Sequence, residues 1–372
     1  MWSVSTMANA RLPDDLVGQA RALIQQDRAG EAAALLRPLV EAGRGGFLAR
    51  STLAQALSAS DDDEAALDVA RETRLLHPDV PQAGLDLGRI LLKAGDLPPA
   101  IAELQRALRL DPGLSDARYF LGCAWLEAGE PDKALEAFGS LAGLSAPDGL
   151  STKIAEAHAM RAAPRADPRY VRHLFDQFSA DYDTKMIGQL HYAAPQILRE
   201  LARLVLPEVG NRSLAVLDLG CGTGLSGAAF RDLASHLDGI DLSPAMIAEA
   251  RSRGIYNSLQ VADIETALAA RAVTYDLLLA ADTLVYLGDL ARLFDAAQAA
   301  LKSGGFFLFT TERAEAGEFE LGPKRRWRHS EDYLRRQAGR AGFEVAGLMT
   351  CVPRTEAGQP VEGWAVALRK LS

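Results

Sequence analysis

The sequence predicts two architectures in one chain, a helical repeat solenoid followed by an α/β domain built on a mostly parallel sheet. Three observations predict it. In the first half, residues recur at a fixed period of 34; in the second, short apolar runs alternate with amphipathic stretches; and one of those runs feeds straight into a glycine-rich turn. At roughly 100–200 residues per domain, a chain of 372 residues suggests two domains.

The repeat is explicit in the residues. Leu53-Ala54, Leu87-Gly88 and Leu121-Gly122 are spaced by 34, as are Ala32, Ala66, Ala100 and Ala134. Ala94-Gly95-Asp96 returns as Ala128-Gly129-Glu130, and Pro78 returns as Pro112. Each period reads as two helices joined by a Gly/Asp turn, with small residues where the paired helices touch. One such pair cannot bury its apolar face alone, so the units stack. The array is placed at 8–160. The two prolines of Pro164-Arg-Ala-Asp-Pro168, among small and charged residues, read as a linker over 161–168.

From 169 to 372 the runs Leu214–Leu219, Leu237–Ile240, Leu277–Ala280 and Phe306–Thr310 alternate with helical stretches, the pattern of βαβ units around a parallel sheet. Phe343–Val352 and Val361–Arg369 read as two further strands joined by a turn at Ala357-Gly358.

Composition narrows the function. The chain is 48% hydrophobic, enough for packed cores. No apolar run approaches the ~20 residues of a membrane span. The opening Met1-Trp-Ser-Val4 lacks the charged and apolar regions of a secretory leader. The net charge of −9 divides into −7 before Arg169 and −2 from there on. Neither part has the basic excess of a nucleic-acid binder, so neither nucleic acid nor membrane is expected as a partner. Cys123, Cys221 and Cys351 are too few and too scattered for a disulfide framework or a zinc site, so no metal is expected and a reduced cytoplasmic setting fits.

The decisive segment is Val216-Leu-Asp218-Leu-Gly220-Cys-Gly222-Thr-Gly224, a strand, a glycine turn, then a helix. Glycines adopt backbone angles closed to other residues and bring main-chain N–H groups against a ligand. A carboxylate at the strand end needs a partner, which a cationic ligand group would supply. Asp241 ends the next strand about 20 residues on, where a carboxylate meets a ribose. Asp263 and Ile264 follow, an acceptor for an exocyclic amine and a cover for an adenine face. Gly222-Thr-Gly-Leu-Ser-Gly227 also fits the dinucleotide fingerprint, but the strand-end Asp218 would repel a pyrophosphate, which favours a nucleoside with a cationic tail.

Together, Asp218–Gly224, Asp241 and Asp263 resemble the motifs of class I S-adenosylmethionine-dependent methyltransferases. The 34-residue units resemble tetratricopeptide repeats, and the whole chain resembles bacterial methyltransferases that carry such repeats at the N-terminus. The resemblance implies a Rossmann-like sheet of seven strands with the last antiparallel. It implies S-adenosylmethionine as cofactor, with Asp218, Gly220, Gly222 and Gly224 near its methionine part. Asp241 would hold the ribose, Asp263 and Ile264 the adenine, with Leu242 also binding the cofactor. Phe175-Asp-Gln-Phe178-Ser-Ala-Asp-Tyr182-Asp183 resembles the lid segment of small-molecule methyltransferases, with Phe175, Phe178 and Tyr182 as contacts.

The acceptor side is less determined. Tyr192 and Tyr286 are candidate pocket residues, and Arg325 and Arg328, in the basic cluster Lys324–His329, are candidates for an anionic acceptor. Asp282, His191 and His329 are the possible general bases, unranked. The expected activity is methyl transfer to an oxygen, nitrogen or carbon of a small molecule. Two alternatives stay open: a protein or peptide acceptor recruited on the repeat surface, and a scaffold whose cofactor-binding domain only regulates.

Overall fold

The computed structural model describes residues 13–141, 148–179, 182–207, 213–271 and 273–371. Residues 8–12 and 142–147 of the expected repeat array lie outside them. The chain divides into two units at Arg161/Ala162.

The first unit is helical throughout its described part: α1 (Pro13–Gln25), α2 (Ala29–Glu41), α3 (Gly46–Ala59), α4 (Asp63–Leu76), α5 (Pro81–Lys93), α6 (Leu97–Leu110), α7 (Ser115–Glu127), α8 (Pro131–Gly139) and α9 (Leu150–Ala162). The second helix of each pair begins at Ala29, Asp63, Leu97 and Pro131, each 34 residues after the last. Ala32, Ala66, Ala100 and Ala134 are all fully buried. The small residues opposite them have a steric cause. A methyl group on Gly88 would lie 2.6 Å from Leu104, and one on Gly122 would lie 2.3 Å from the Phe138 ring. Packing this close leaves no room for even one added carbon.

The second unit holds α10 (Pro168–Phe178), α11 (Tyr182–Gly188), α12 (Ala194–Val205), β1 (Leu214–Leu219), α13 (Leu225–Phe230), β2 (Ala234–Asp241), α14 (Pro244–Ser252), β3 (Ser258–Val261), α15 (Ile264–Ala269) and β4 (Tyr275–Ala280). After these come α16 (Ala291–Ala300), β5 (Leu301–Arg313), β6 (Phe319–Leu321), β7 (Trp327–His329), α17 (Glu331–Arg340), β8 (Phe343–Cys351), β9 (Thr355–Glu356), β10 (Gln359–Pro360) and β11 (Gly363–Lys370). The main sheet runs β3-β2-β1-β4-β5-β11-β8. The first five strands are parallel, and β11 is antiparallel to both of its neighbours. These seven strands are the expected sheet.

Alternate side chains of each central strand enter opposite cores. Leu217, Leu278, Phe307 and Val366 face one side with α16 and α17, while Val216, Leu277, Leu308 and Ala367 face the other with α12. Burial on both faces explains why these strands read as unbroken apolar runs. Strand order reverses between β1 and β4, and ligands of open α/β sheets sit beyond the strand ends at such a point.

One expectation needs correction, and one strand pair was not anticipated: β6 pairs with β7, which in turn pairs with the end of β5. The supposed linker is a structured strap on the second unit. Gly288 and Asp289 N–H groups donate to Pro164 O at 2.8 and 3.1 Å, and Ala166 N–H donates to Tyr286 O at 2.8 Å. The prolines signalled a helix break and said nothing of what the extended chain then meets.

Gly122→Ala is expected to destabilise the helical unit by about 1–3 kcal/mol through overpacking, read as a lower urea midpoint by circular dichroism. Adding Phe138→Leu should recover part of that loss; a neutral Gly122→Ala would contradict the packing.

Candidate active site

One cavity of about 310 Å³ opens at the reversal point, within the size range of small-molecule sites. Its lining includes Gly220, Gly222, Asp241, Leu242, Asp263 and Ile264 from the ends of β1–β3, and Asp282 and Tyr286 after β4. Phe175 and Tyr182 close it from the lid helices α10 and α11. Residues scattered over more than 110 positions thus meet because five parallel strands end at one edge.

The glycine turn is fixed from both sides. Gly220 (φ 66°) presses on Thr283, where an added methyl would come within 2.5 Å of the side chain. Gly222 (φ 53°) has nothing within 4 Å of where its methyl would be, so it leaves open space above the turn. Asp241 pins the turn: its Oδ2 accepts from Gly222 N–H at 2.9 Å and its Oδ1 from Ser243 N–H at 2.8 Å. Burial raises the pKa of Asp241, and these amides oppose the rise. Both oxygens keep a further lone pair for hydroxyl donors such as those of a ribose.

Asp263 caps α15, accepting from Thr266 N–H at 3.1 Å. Burial pushes its pKa up, but the Arg165 guanidinium, 2.6 Å away, and the two Thr266 donors together outweigh this and lower it.

The lid is latched by the two aspartates of its motif. Asp176 accepts from the Ser243 hydroxyl at 2.5 Å. Asp183 accepts from the Thr223 hydroxyl at 2.5 Å and pairs with Arg253. Phe175 packs edge-on to both Tyr182 and Tyr286, at 6.0 and 5.7 Å between ring centres. The side chain of Phe178, and residues 180 and 181, lie outside the described residues.

Other expected residues stand elsewhere. Asp218 is fully buried under the glycine turn and is not among the cavity-lining residues. Its Oδ2 accepts from the Tyr256 hydroxyl at 2.7 Å, while Oδ1 is buried without a hydrogen-bond partner. Burial raises its pKa to about 7 against the pull of that hydroxyl. Its partner is therefore a tyrosine in place of the expected cation. Gly224 (φ 95°) precedes α13 and faces Arg253 and Tyr256. Cys221 is buried beside Ile247 and Ala250, a packing role.

Tyr192 lies behind the cavity wall, its hydroxyl donating to Ala281 O at 3.3 Å. His191 is exposed, with Nδ1 3.2 Å from Thr355 Oγ1, and it does not line the cavity.

His329 is corrected outright. It is fully buried, with Nδ1 2.6 Å from Thr311 Oγ1 and Nε2 3.0 Å from Gly288 O. Burial lowers its pKa to about 4; with both ring nitrogens occupied and no place on the cavity lining, it is a structural ring.

The basic cluster contributes a different arginine from those expected. Arg326 lines the cavity, whereas Arg325 stacks over Tyr170 at 4.7 Å and Arg328 pairs with Glu312 and Glu315. Arg325 sits in left-handed backbone (φ 57°) at the end of a short turn, and the chain becomes extended at Arg326 (φ −106°, ψ 134°), so these two neighbours point in different directions.

Arg354 was not anticipated. Its side chain is 1% exposed and bonds Asp282, Glu312 and Glu356 together. Burial alone would push Glu356 up, but Lys324, Arg326 and Arg354 hold its pKa down to about 2. Burial raises Asp282, opposed by Arg354. A lone arginine carried no sequence signal, since two of its three partners, Asp282 and Glu312, lie 72 and 42 residues away. Arg165 was missed for the same reason.

Residues 189–347 match a family model described as a methyltransferase domain, and residues 85–148 match a tetratricopeptide repeat. The chain carries tetratricopeptide repeats and a methyltransferase domain. It is 35% identical over 136 residues to a ubiquinone biosynthesis O-methyltransferase of Xylella fastidiosa, covering 36% of this chain and 54% of that protein. It is 32% identical over 130 residues to the 18S rRNA (guanine(1575)-N(7))-methyltransferase of Saccharomyces cerevisiae, covering 32% and 46%. The chain thus spans about half the length of these relatives.

Among solved structures, an S-adenosylmethionine-dependent methyltransferase from Mesorhizobium loti is 26% identical, with a TM-score of 0.38, over 47% of this chain and 96% of that one. The rRNA enzyme among the relatives means that charge balance alone does not exclude a nucleic-acid acceptor. Among the described residues, no helix is long and apolar enough to cross a membrane.

The buried imidazole gives a pH test. His329 titrates near 4 when folded and near 6.5 when unfolded, so the unfolded chain binds the extra proton between those values. Its contribution is flat above pH 6.5 and costs up to about 3 kcal/mol as pH falls to 4. His329→Gln should remove this slope from the difference in urea stability, and an imidazole titrating near 6.5 by NMR would contradict the burial.

Proposed function

We propose that the chain transfers a methyl group from S-adenosylmethionine to a small-molecule oxygen, nitrogen or carbon nucleophile. The observation that carries this reading is the cavity itself. Its lining brings together Gly222, Asp241, Asp263 and Ile264 with the lid aromatics Phe175 and Tyr182. The residues fit the cofactor: open space over Gly222, free lone pairs on a pinned Asp241, and an acceptor at Asp263 next to apolar Ile264. When bound, the cofactor supplies an electrophilic methyl on a cationic sulfur.

The chain's own task is then alignment and exclusion of water, which accounts for most of the rate in such a transfer. The acceptor lies toward Asp282, Tyr286 and Arg326. Asp282 is the group able to take an acceptor proton, since it lines the cavity while His191 and His329 do not. Arg326 faces a polar or anionic part of the acceptor. The cavity's small volume and the latched lid favour a small molecule over a protein acceptor held on the repeats.

Asp241→Ala and Gly222→Val should each abolish binding of S-adenosylhomocysteine by calorimetry in the full chain; unchanged affinity in both would overturn the reading. With methyl-labelled cofactor and a fractionated lysate, label should appear in the small-molecule fraction. Label confined to protein or RNA would replace the acceptor class.

A further inference from the structure

The strap that follows the repeat unit lies outside residues 189–347, which match the methyltransferase domain. Yet Arg165 and Ala166 line the cavity with Asp263 and Ile264. Three backbone hydrogen bonds to the segment 286–289 hold the strap in place, and a methyl on Gly288 would lie 2.8 Å from Pro164 O. This anchoring fixes where Arg165 begins.

The guanidinium of Arg165 bridges two carboxylates. Nη2 donates to Asp263 Oδ2 at 2.6 Å and Nη1 to Glu265 Oε2 at 2.5 Å, while Nε is buried without a partner. Asp263 Oδ1 is turned toward Thr266, whose N–H and hydroxyl lie at 3.1 and 3.3 Å. The carboxylate is therefore held at both oxygens, and Oδ2 retains one lone pair. Without Arg165, Asp263 and Glu265 would face each other as like charges, and the cheapest relief is to protonate or swing away. Either change would take an acceptor from the cavity wall.

We infer that Arg165 is a positioning residue of the adenine site, orienting Asp263 as a pure acceptor for the exocyclic amine. The strap is by this argument part of the cofactor site. The inference rests on the S-adenosylmethionine reading and adds selectivity for adenine over a base with a carbonyl at the same place. A carboxylate aimed at that carbonyl would be repelled, and sites built to bond one polar group reject analogues lacking it.

The test is calorimetry on the full chain with S-adenosylhomocysteine and its inosine counterpart, for the wild type, Arg165→Gln and Arg165→Lys. The wild type should prefer the adenine compound. Arg165→Gln should weaken that compound about tenfold or more, the scale of a charge-assisted bond. It should leave the inosine compound within about twofold, so that the preference collapses. Arg165→Lys should recover part of the preference, since one ammonium can hold Asp263 but cannot fork to Glu265.

Equal weakening of both compounds, an unchanged Arg165→Gln, or a wild type with no preference would each overturn the inference. A wild type that binds neither compound would instead overturn the cofactor reading beneath it. Melting curves of both variants identify a folding failure, and whichever variant stays folded decides the question through its preference.

Discussion

The site hangs on one carboxylate. Asp241 ends β2 and accepts amides from Gly222 and from Ser243, so one side chain ties the turn after β1 to the turn after β2. Thr283 packs against Gly220 from the other side, so close that no side chain fits there. With both turns set, the strand ends form a rigid floor, and the lid, the strap and the acceptor wall close around it. A site carried on strand ends holds its geometry better than one carried on loops.

The opposite wall depends on a different kind of interaction. Arg354 is buried among Asp282, Glu312 and Glu356, which follow β4, end β5 and precede β11. Removing water from four charges costs heavily, and their attraction repays it only when each is satisfied by good partners. Losing one partner would leave charges stranded in the interior, so this cluster fixes a unique arrangement of three chain segments more than it adds net stability.

The legible and illegible parts of the molecule divide along physical lines. The 34-residue repeat, the parallel sheet and the glycine-turn motifs were readable because each is local: a period, an apolar run, a turn that only glycine can make. Even the steric reason for Gly88 and Gly122 shows in their spacing. What escaped was long-range pairing. Tyr256 under Asp218, Arg165 on Asp263, and Arg354 on Asp282 and Glu312 join residues 38 to 98 positions apart. Direction escaped too: Arg325, Arg326 and Arg328 look alike in sequence, and nothing local marks Arg326 as the one that lines the cavity. His329 was misjudged because a histidine near a basic cluster resembles a proton carrier until its burial is seen.

The lid's latch has a consequence in time. Its two fastening points, Ser243 and Thr223, are each within two residues of a group that pins the cavity floor, Asp241 and Gly222. Lid and floor are therefore one mechanical unit when closed. Opening the lid therefore means parting a charged pair, Asp183 with Arg253, and two hydroxyl bonds, the kind of gating step that sets the turnover of many enzymes.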